Sequence, residues 1–265
     1  MLDINRENWN AWAAVHGQDS YYDTAGLVAG ADSQTDVEHA GVRDAVGEVR
    51  DKDVLHVQCH LGFDSISMAR RGARVTGVDF SPVALTRAHE LAERCGVPVE
   101  FVEADVTALP ETLAGRFDLA YATMGILCWI GDVDAWMRSV ASTLRPGGRL
   151  LLIDGHPLNW MIHSVDPFVV DFSYTYDGPH QCASRASYAG VRIDTVNVQH
   201  AHGLGEVVTA ALGAGLRVVR LTEHLDAPVY TGGCDTVEDD GRYRIRVNGY
   251  RLPLLYTLIA ERPAG

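Results

Sequence analysis

Lysine is nearly missing from this 265-residue chain: Lys52 is the single one, and arginine supplies the rest of its 22 basic residues. That skew reads as codon composition in a GC-rich genome and carries no mechanism. Positive charge is scarce altogether, with 35 acids against 22 bases and a formal net charge of −13. An acidic surface repels phosphate backbones, so a nucleic-acid partner is not expected. The short basic clusters, Arg70, Arg71 and Arg74, then Arg242, Arg244 and Arg246, fall on helix ends or strands. Long apolar runs are also lacking. Residues 150–153 and 252–260 are the longest, well short of the ~20 that span a bilayer. No basic stretch followed by an apolar one opens the chain, so no secretory signal and no membrane are expected, and a cytoplasmic location follows. The five cysteines, Cys59, Cys95, Cys128, Cys182 and Cys234, are widely spaced without a CxxC, which argues against a disulfide framework or a cysteine zinc site. What is present is 47% apolar and 22% charged residues, the mix of one large domain that buries a core.

The apolar pattern alternates between two periods. Trp9 and Trp12 share one face of a helix expected over 5–15, and a second helix is expected over 36–49. Short apolar strands at 54–57, 74–78, 99–102, 117–122 and 149–153 then alternate with helices at 63–71, 82–94 and 133–144. Ser81 before Pro82 reads as an N-cap with proline at the first helical position. Such alternation means βαβ units and a parallel, doubly wound α/β sheet. After Asp154 the pattern breaks. Residues 156–199, rich in His, Tyr, Pro and Asp, read as a lid inserted over a pocket. A helix at 205–214, a strand at 216–221, a polar loop at 235–241 and a strand at 252–260 close the chain.

In an open parallel sheet, ligands bind beyond the carboxyl ends of the strands. The first strand is followed by Gln58, Cys59, His60, Leu61 and Gly62, the second by Asp79, the third by Asp105. Asp79 can accept from two vicinal ribose hydroxyls, since an ionised carboxylate is a pure acceptor. The plainer reading is an acid on the dipole of the helix that follows. Asp105 suits an exocyclic adenine amine, or a simple turn. A dinucleotide pyrophosphate needs G-x-G-x-x-G, and here Gly62 alone remains, with Gln58 and His60 in the way. An NAD(P)-dependent oxidoreductase is therefore the weaker alternative.

The stretches VLHVQCHLGFDSISMARRGARVTGVDFSPVAL, FVEADVTALP and FDLAYATMGILCWIGDVDAWMRSVASTLRPGGRLLLIDGHP resemble consecutive motifs of the class I S-adenosylmethionine-dependent methyltransferases over about residues 50–156. The resemblance implies a Rossmann-like, doubly wound seven-stranded sheet with an antiparallel last strand and helices on both faces. It implies S-adenosylmethionine as methyl donor, with S-adenosylhomocysteine as product. Within one domain, 1–50 would be a helical cover, 51–155 the cofactor core, 156–199 the lid and acceptor insertion, and 200–265 the rest of the sheet. By position, Gln58, Cys59, His60 and Gly62 would lie under the methionine part, Asp79 and Phe80 at the ribose, and Asp105 and Val106 at the adenine. Thr123 and Met124 would border the sulfonium, with Trp12 and Tyr22 closing over the cofactor beside Trp9 and Tyr21. The family's first motif resembles D/E-x-G-x-G-x-G, whereas this chain has His56, Gln58 and His60 at three of those places. This matches an LHxQCHxG-type subgroup.

Methyl transfer from a sulfonium is an in-line displacement, for which a protein mainly supplies proximity and a dry pocket. A base is needed only when the acceptor must lose a proton. Histidine suits that role. The candidates are His156, after the fifth strand, and His200 and His202 in VQHAHGLGE, each of which reads equally as a helix-capping or structural residue. Asp154, His156, His200 and His202 form a conceivable ligand set for a divalent ion, but no carboxylate cluster accompanies them and no metal is expected. Trp129 is expected to shape the acceptor pocket, with Tyr174, Tyr176 and Tyr188 on its other wall. The expected partner is a small, aromatic or heteroaromatic metabolite, in secondary metabolism, and a homodimer is the default assembly. A non-catalytic S-adenosylmethionine-binding protein is the other alternative.

Overall fold

The computed structural model describes residues 2–17, 21–175 and 178–264. Three helices lead in: α1 (Leu2–Val15), α2 (Thr24–Val28) and α3 (Asp36–Val46). Thr35 and Glu38 cap α3 reciprocally, each side chain serving the other's backbone N–H. The core then alternates as expected, through β1 (Asp53–Val57), α4 (Phe63–Arg70), β2 (Arg74–Asp79), α5 (Pro82–Cys95), β3 (Glu100–Glu103), β4 (Phe117–Thr123), α6 (Val133–Thr143) and β5 (Leu144–Gly155). Ser81 Oγ accepts from Ala84 N and Pro82 opens α5, as the sequence predicts.

The second half is α7 (Pro157–Met161), β6 (Ile162–Val165), β7 (Phe168–Val170), β8 (His180–Ala186), β9 (Arg192–Gln199), α8 (Leu204–Gly213), β10 (Arg217–His224), β11 (Thr236–Val237), β12 (Tyr243–Val247), β13 (Tyr250–Leu252) and β14 (Leu255–Glu261). The main sheet has seven strands in the order β10-β14-β5-β4-β1-β2-β3. Neighbours from β3 through β5 run parallel, and β14 runs antiparallel to both β5 and β10. One apolar cluster packs α6 and α8 on one face around Trp136, Met137 and Leu152, and a second packs α3 and α4 on the other around Leu119, Tyr121 and Leu151. Both faces are thus covered, which is why the central strands read as continuous apolar runs. No helix among the described residues is long and apolar enough to cross a membrane.

The second half adds detail to one expectation and corrects another. The insertion 156–199 holds the short helix α7 and two hairpins, β6–β7 and β8–β9. The segment expected as a polar loop at 235–241 contains β11, the first strand of a three-stranded sheet β11-β12-β13. Its alternating arginines are paired rather than solvated: Arg244 meets Glu238 and Asp240, and Arg246 meets Glu238. β5 also runs longer than 149–153, because the Pro146-Gly147-Gly148 turn sits within it opposite a register shift at Phe117/Leu119.

Candidate active site

At the carboxyl end of β1 the chain enters three left-handed residues: Gln58 at φ 56°, His60 at φ 48° and Gly62 at φ 72°. These are the glycine places of the family pattern, and the backbone keeps the glycine conformation although two side chains are present. A left-handed non-glycine residue costs roughly 1–2 kcal/mol. Gly62 has a second reason to be glycine, since a Cβ there would lie 2.8 Å from the Phe101 ring. The His60 N–H donates to Asp79 Oδ2 at 2.9 Å, and Ser81 N donates to Asp79 Oδ1 at 2.9 Å. The β1 loop is therefore pinned to the end of β2. Burial pushes the Asp79 carboxyl up to about 6 against those donors.

The other expected cofactor residues divide by what their side chains do. Cys59 turns inward under Gly77, where a Cβ would meet its sulfur at 2.9 Å, so only its backbone belongs to the loop. Gln58 turns toward α6, where its Oε1 accepts from Trp136 Nε1 and its Nε2 donates to Ile126 O. Phe80 follows Asp79 at half-buried depth. Asp105 accepts from both Thr107 N and Thr107 Oγ1, forming a turn, while Val106 joins the core. After β4, Thr123 is half-buried, and Met124 and Gly125 are left-handed at φ 35° and φ 76°. Asp154 at the end of β5 shapes this turn: its carboxylate accepts from the amides of Gly125, Ile126, Leu127 and Gly155.

A roof closes over these loops. Asn5 on α1 exchanges two hydrogen bonds with the Val198 backbone of β9, and Trp12 Nε1 donates to Thr195 Oγ1. The expected cover and the expected lid are thus one joined structure. Beneath it Trp9 lies 5.1 Å from both His60 and Trp129, and Trp12 lies 5.9 Å from Trp129 and 5.6 Å from Tyr188, all ring-edge to ring-face. Tyr22 stacks near His16 and Phe63 and shares a hydrogen bond with the Tyr188 hydroxyl. His16 Nδ1 and His60 Nε2 are 3.0 Å apart. Asn5 and His16 stood outside the expected site, while Trp9 was expected in the cover and Tyr188 on the acceptor wall without their meeting being foreseen, because it joins segments far apart in the chain. Two side chains of this region keep buried polar atoms without a partner among the described residues. Asn8 is 2% exposed with neither amide atom paired among the described residues, and the buried His60 Nδ1 is also unpaired. A buried polar atom left without a partner costs about 1–3 kcal/mol.

Deeper down, the first motif's acidic place is His56, whose Nδ1 meets Ser65 Oγ at 2.8 Å. Burial draws its pKa down to about 3, so it is neutral. Beside it the Tyr121 hydroxyl lies 2.9 Å from Glu38 Oε1 and 3.1 Å from Asp64 Oδ2. Burial raises both carboxyls; the Asp64 charge adds to it at Glu38, which is pushed up to about 7, and the Asp32 charge adds to it at Asp64, against hydrogen bonds from Thr35, Ser33 and Tyr121.

The histidines separate sharply. His156 caps α7: Nδ1 accepts from Leu158 N at 3.2 Å, so Nε2 carries the proton and donates to Glu223 Oε1 at 2.9 Å. Both nitrogens are committed, which favours the capping reading over the catalytic one. His202 faces oxygens on both sides, Glu206 Oε1 at 3.0 Å and Ile130 O at 2.6 Å. His200 lines a cavity of about 20 Å³ with Cys128, Asp154, Trp160, His202 and Tyr256, room for about one water molecule. Burial, then His202 and His180, lower its pKa, leaving it neutral and able to accept a proton. Trp129 stands at the roof rather than in this cavity. Tyr174 lies against Gly203, with its hydroxyl near Leu204 N, and Tyr176 lies outside the described residues. Among the described residues no group of three or more His, Cys, Asp or Glu is placed to hold a metal ion.

Known proteins match this arrangement in part. Residues 54–148 match the family described as methyltransferase domain. A ubiquinone biosynthesis O-methyltransferase of Xanthomonas axonopodis pv. citri is 43% identical over 101 residues, 37% of this chain and 41% of that protein. Its namesake in Escherichia coli O7:K1 is 34% identical over 109 residues, 40% of this chain and 44% of that protein. The match thus spans less than half the length of these relatives. The crystal structure of an S-adenosylmethionine-dependent methyltransferase from Mesorhizobium loti superposes with a TM-score of 0.61 at 21% identity, covering 89% of this chain and all of that one. The [4+2]-cyclase SpnF superposes with a TM-score of 0.55 at 17% identity, over 86% of this chain and 80% of that one. Residues 54–148 match the methyltransferase-domain family, and the seven-stranded sheet around them has the fold of the S-adenosylmethionine-dependent methyltransferase structures it superposes on.

Proposed function

We propose that this protein transfers a methyl group from S-adenosylmethionine to a small-molecule acceptor. The observation that carries the reading is the buried Asp79 carboxylate, locked to the left-handed β1 loop through His60 N inside the matched domain. The residues fit the cofactor. Asp79 would accept from the ribose, Asp105 and Val106 would flank the adenine, and the 58–62 loop would underlie the methionine part. The unpaired atoms of Asn8 and His60 are open to its polar groups. When bound, S-adenosylmethionine supplies an already activated methyl group. The chain's own work is to align, to exclude water and, where the acceptor carries a proton, to receive it. Alignment in a dry site is worth up to roughly 7–11 kcal/mol.

Trp9, Trp12, Trp129 and Tyr188 give the roof an aromatic underside, which suits an aromatic or heteroaromatic acceptor. Relatives named for O-methylation make oxygen the first acceptor atom to test. His200 is our proposed base, by its place on the cavity beside Asp154. The second reading is a protein that uses the fold without methyl transfer, since a [4+2]-cyclase shares the fold and fold alone does not fix reaction.

Calorimetric titration with S-adenosylhomocysteine, S-adenosylmethionine and NAD tests the cofactor. Binding of the first two and not the third is expected, and binding of NAD alone would overturn the proposal. A screen of phenolic and heteroaromatic hydroxyl acceptors then separates the two readings, for cofactor binding without turnover on any of them favours the second.

A further inference from the structure

Gln58 occupies a place where the family pattern has glycine, and it pays twice to be there. Its backbone is left-handed, and its long side chain is held in one arrangement. Glycine would remove both penalties. The side chain does not reach toward the space under the roof. It lies across the gap between the β1 loop and α6, accepting from Trp136 Nε1 at 3.1 Å and donating to Ile126 O at 3.3 Å. Trp136 is fully buried, so its indole N–H would otherwise be an orphan donor. Ile126 is held from the other side as well, because its amide and that of Gly125 donate to Asp154.

We propose that Gln58 is a positioning residue, a brace that fixes the spacing between the β1 loop and the Gly125–Leu127 turn. The inference rests on the methyltransferase reading, in which those two segments border the methionine end of the cofactor. It assigns Gln58 no contact with the cofactor. The side chain replaces the freedom of a glycine by a fixed distance between two loops, and its hydrogen bonds offset the strain of its backbone.

The test compares wild type with Gln58→Gly, which relieves the strain and removes the brace, and with Trp136→Phe, which leaves Gln58 Oε1 without its donor and so loosens the brace without touching the loop or the bond to Ile126 O. Amide hydrogen exchange of residues 124–127 is read in the free protein. Affinities for S-adenosylhomocysteine and for 5′-methylthioadenosine, which lacks the amino-acid end, are read by calorimetry. Both variants are expected to exchange about tenfold faster at 124–127 and to bind S-adenosylhomocysteine about tenfold more weakly, a loss of about 1.4 kcal/mol. Methylthioadenosine affinity should hold. Unchanged exchange and affinity in Gln58→Gly would overturn the brace, as would equal losses for both ligands, which mark general damage. If wild type binds neither ligand, the methyltransferase reading fails, while the exchange comparison still decides whether Gln58 ties the loops together.

Discussion

Burial places the Asp79 carboxyl at about 6, where solution pH selects its charge. Two ribose hydroxyls are donors and need the ionised form. Affinity for S-adenosylhomocysteine is therefore expected to rise as pH climbs through about 6 and to level off above it, which titrations at about pH 5 and about pH 8 will show. Asp79→Asn should flatten that profile and weaken binding by roughly 10–100-fold, the worth of hydrogen bonds to a charged group. Asn8 makes the opposite demand. Its paired loss of hydrogen bonds destabilises the free protein, so Asn8→Leu is expected to add about 1–3 kcal/mol of stability to the free form, read as a higher melting temperature, while the added stabilisation from saturating S-adenosylhomocysteine shrinks. A variant that gains no stability would show that Asn8 has partners in solution. Asp79 was legible in the sequence because a strand end and an acid on the next turn define its place without knowledge of direction. Gln58 was not, since a sequence names a side chain but not the way it turns. His156 stood between two readings for the same reason: Gly-His-Pro after a strand fits a base and a helix cap equally, and only the Leu158 and Glu223 contacts favour the cap.

Among the elements, α1 shows both what local pattern gives and what it withholds. Trp9 and Trp12, three apart, announce the helix and its apolar face. Its main partner, β9, lies about 190 residues later, and no local period points there. The sheet that β12 joins was not visible for a related reason. Arg244 and Arg246 could be placed on a strand, but the carboxylates they meet, Glu238 and Asp240, lie in the segment expected as a loop. The joint between α1 and β9 hangs on Asn5, which both gives and takes a backbone hydrogen bond at Val198. Asn5→Ala leaves a buried amide and carbonyl unpaired, so a loss of about 2 kcal/mol is expected. Faster proteolysis within residues 1–17 and 180–199, with the melting transition of the sheet intact, will report it; an unchanged digestion pattern would mean the aromatic contacts alone hold the roof.

At the scale of the molecule, the sheet was the most readable part, since strands covered on both faces must be apolar throughout and their order follows from right-handed crossovers. The polar cluster within it was not, because Tyr121, Glu38 and Asp64 come from three separate elements. That cluster governs stability. The folded chain holds the Glu38 proton more tightly than the unfolded chain does, so its contribution is complete below 4.5 and is lost as pH rises toward about 7. Glu38→Gln stays neutral throughout. Chemical denaturation across that window should give a flatter profile for the variant, and a gain of up to roughly 3 kcal/mol at about pH 8; parallel profiles would mean the pair holds no proton. One consequence follows from the clasp between the first helix and the β8–β9 hairpin. A compartment whose two jaws come from segments about 190 residues apart in the chain would empty only when they part. Under the proposed methyl transfer, turnover would then have a ceiling set by the jaws, on the microsecond-to-millisecond scale of such motions. Departure of the spent cofactor, rather than bond exchange at its sulfur, would mark the slow beat of each cycle.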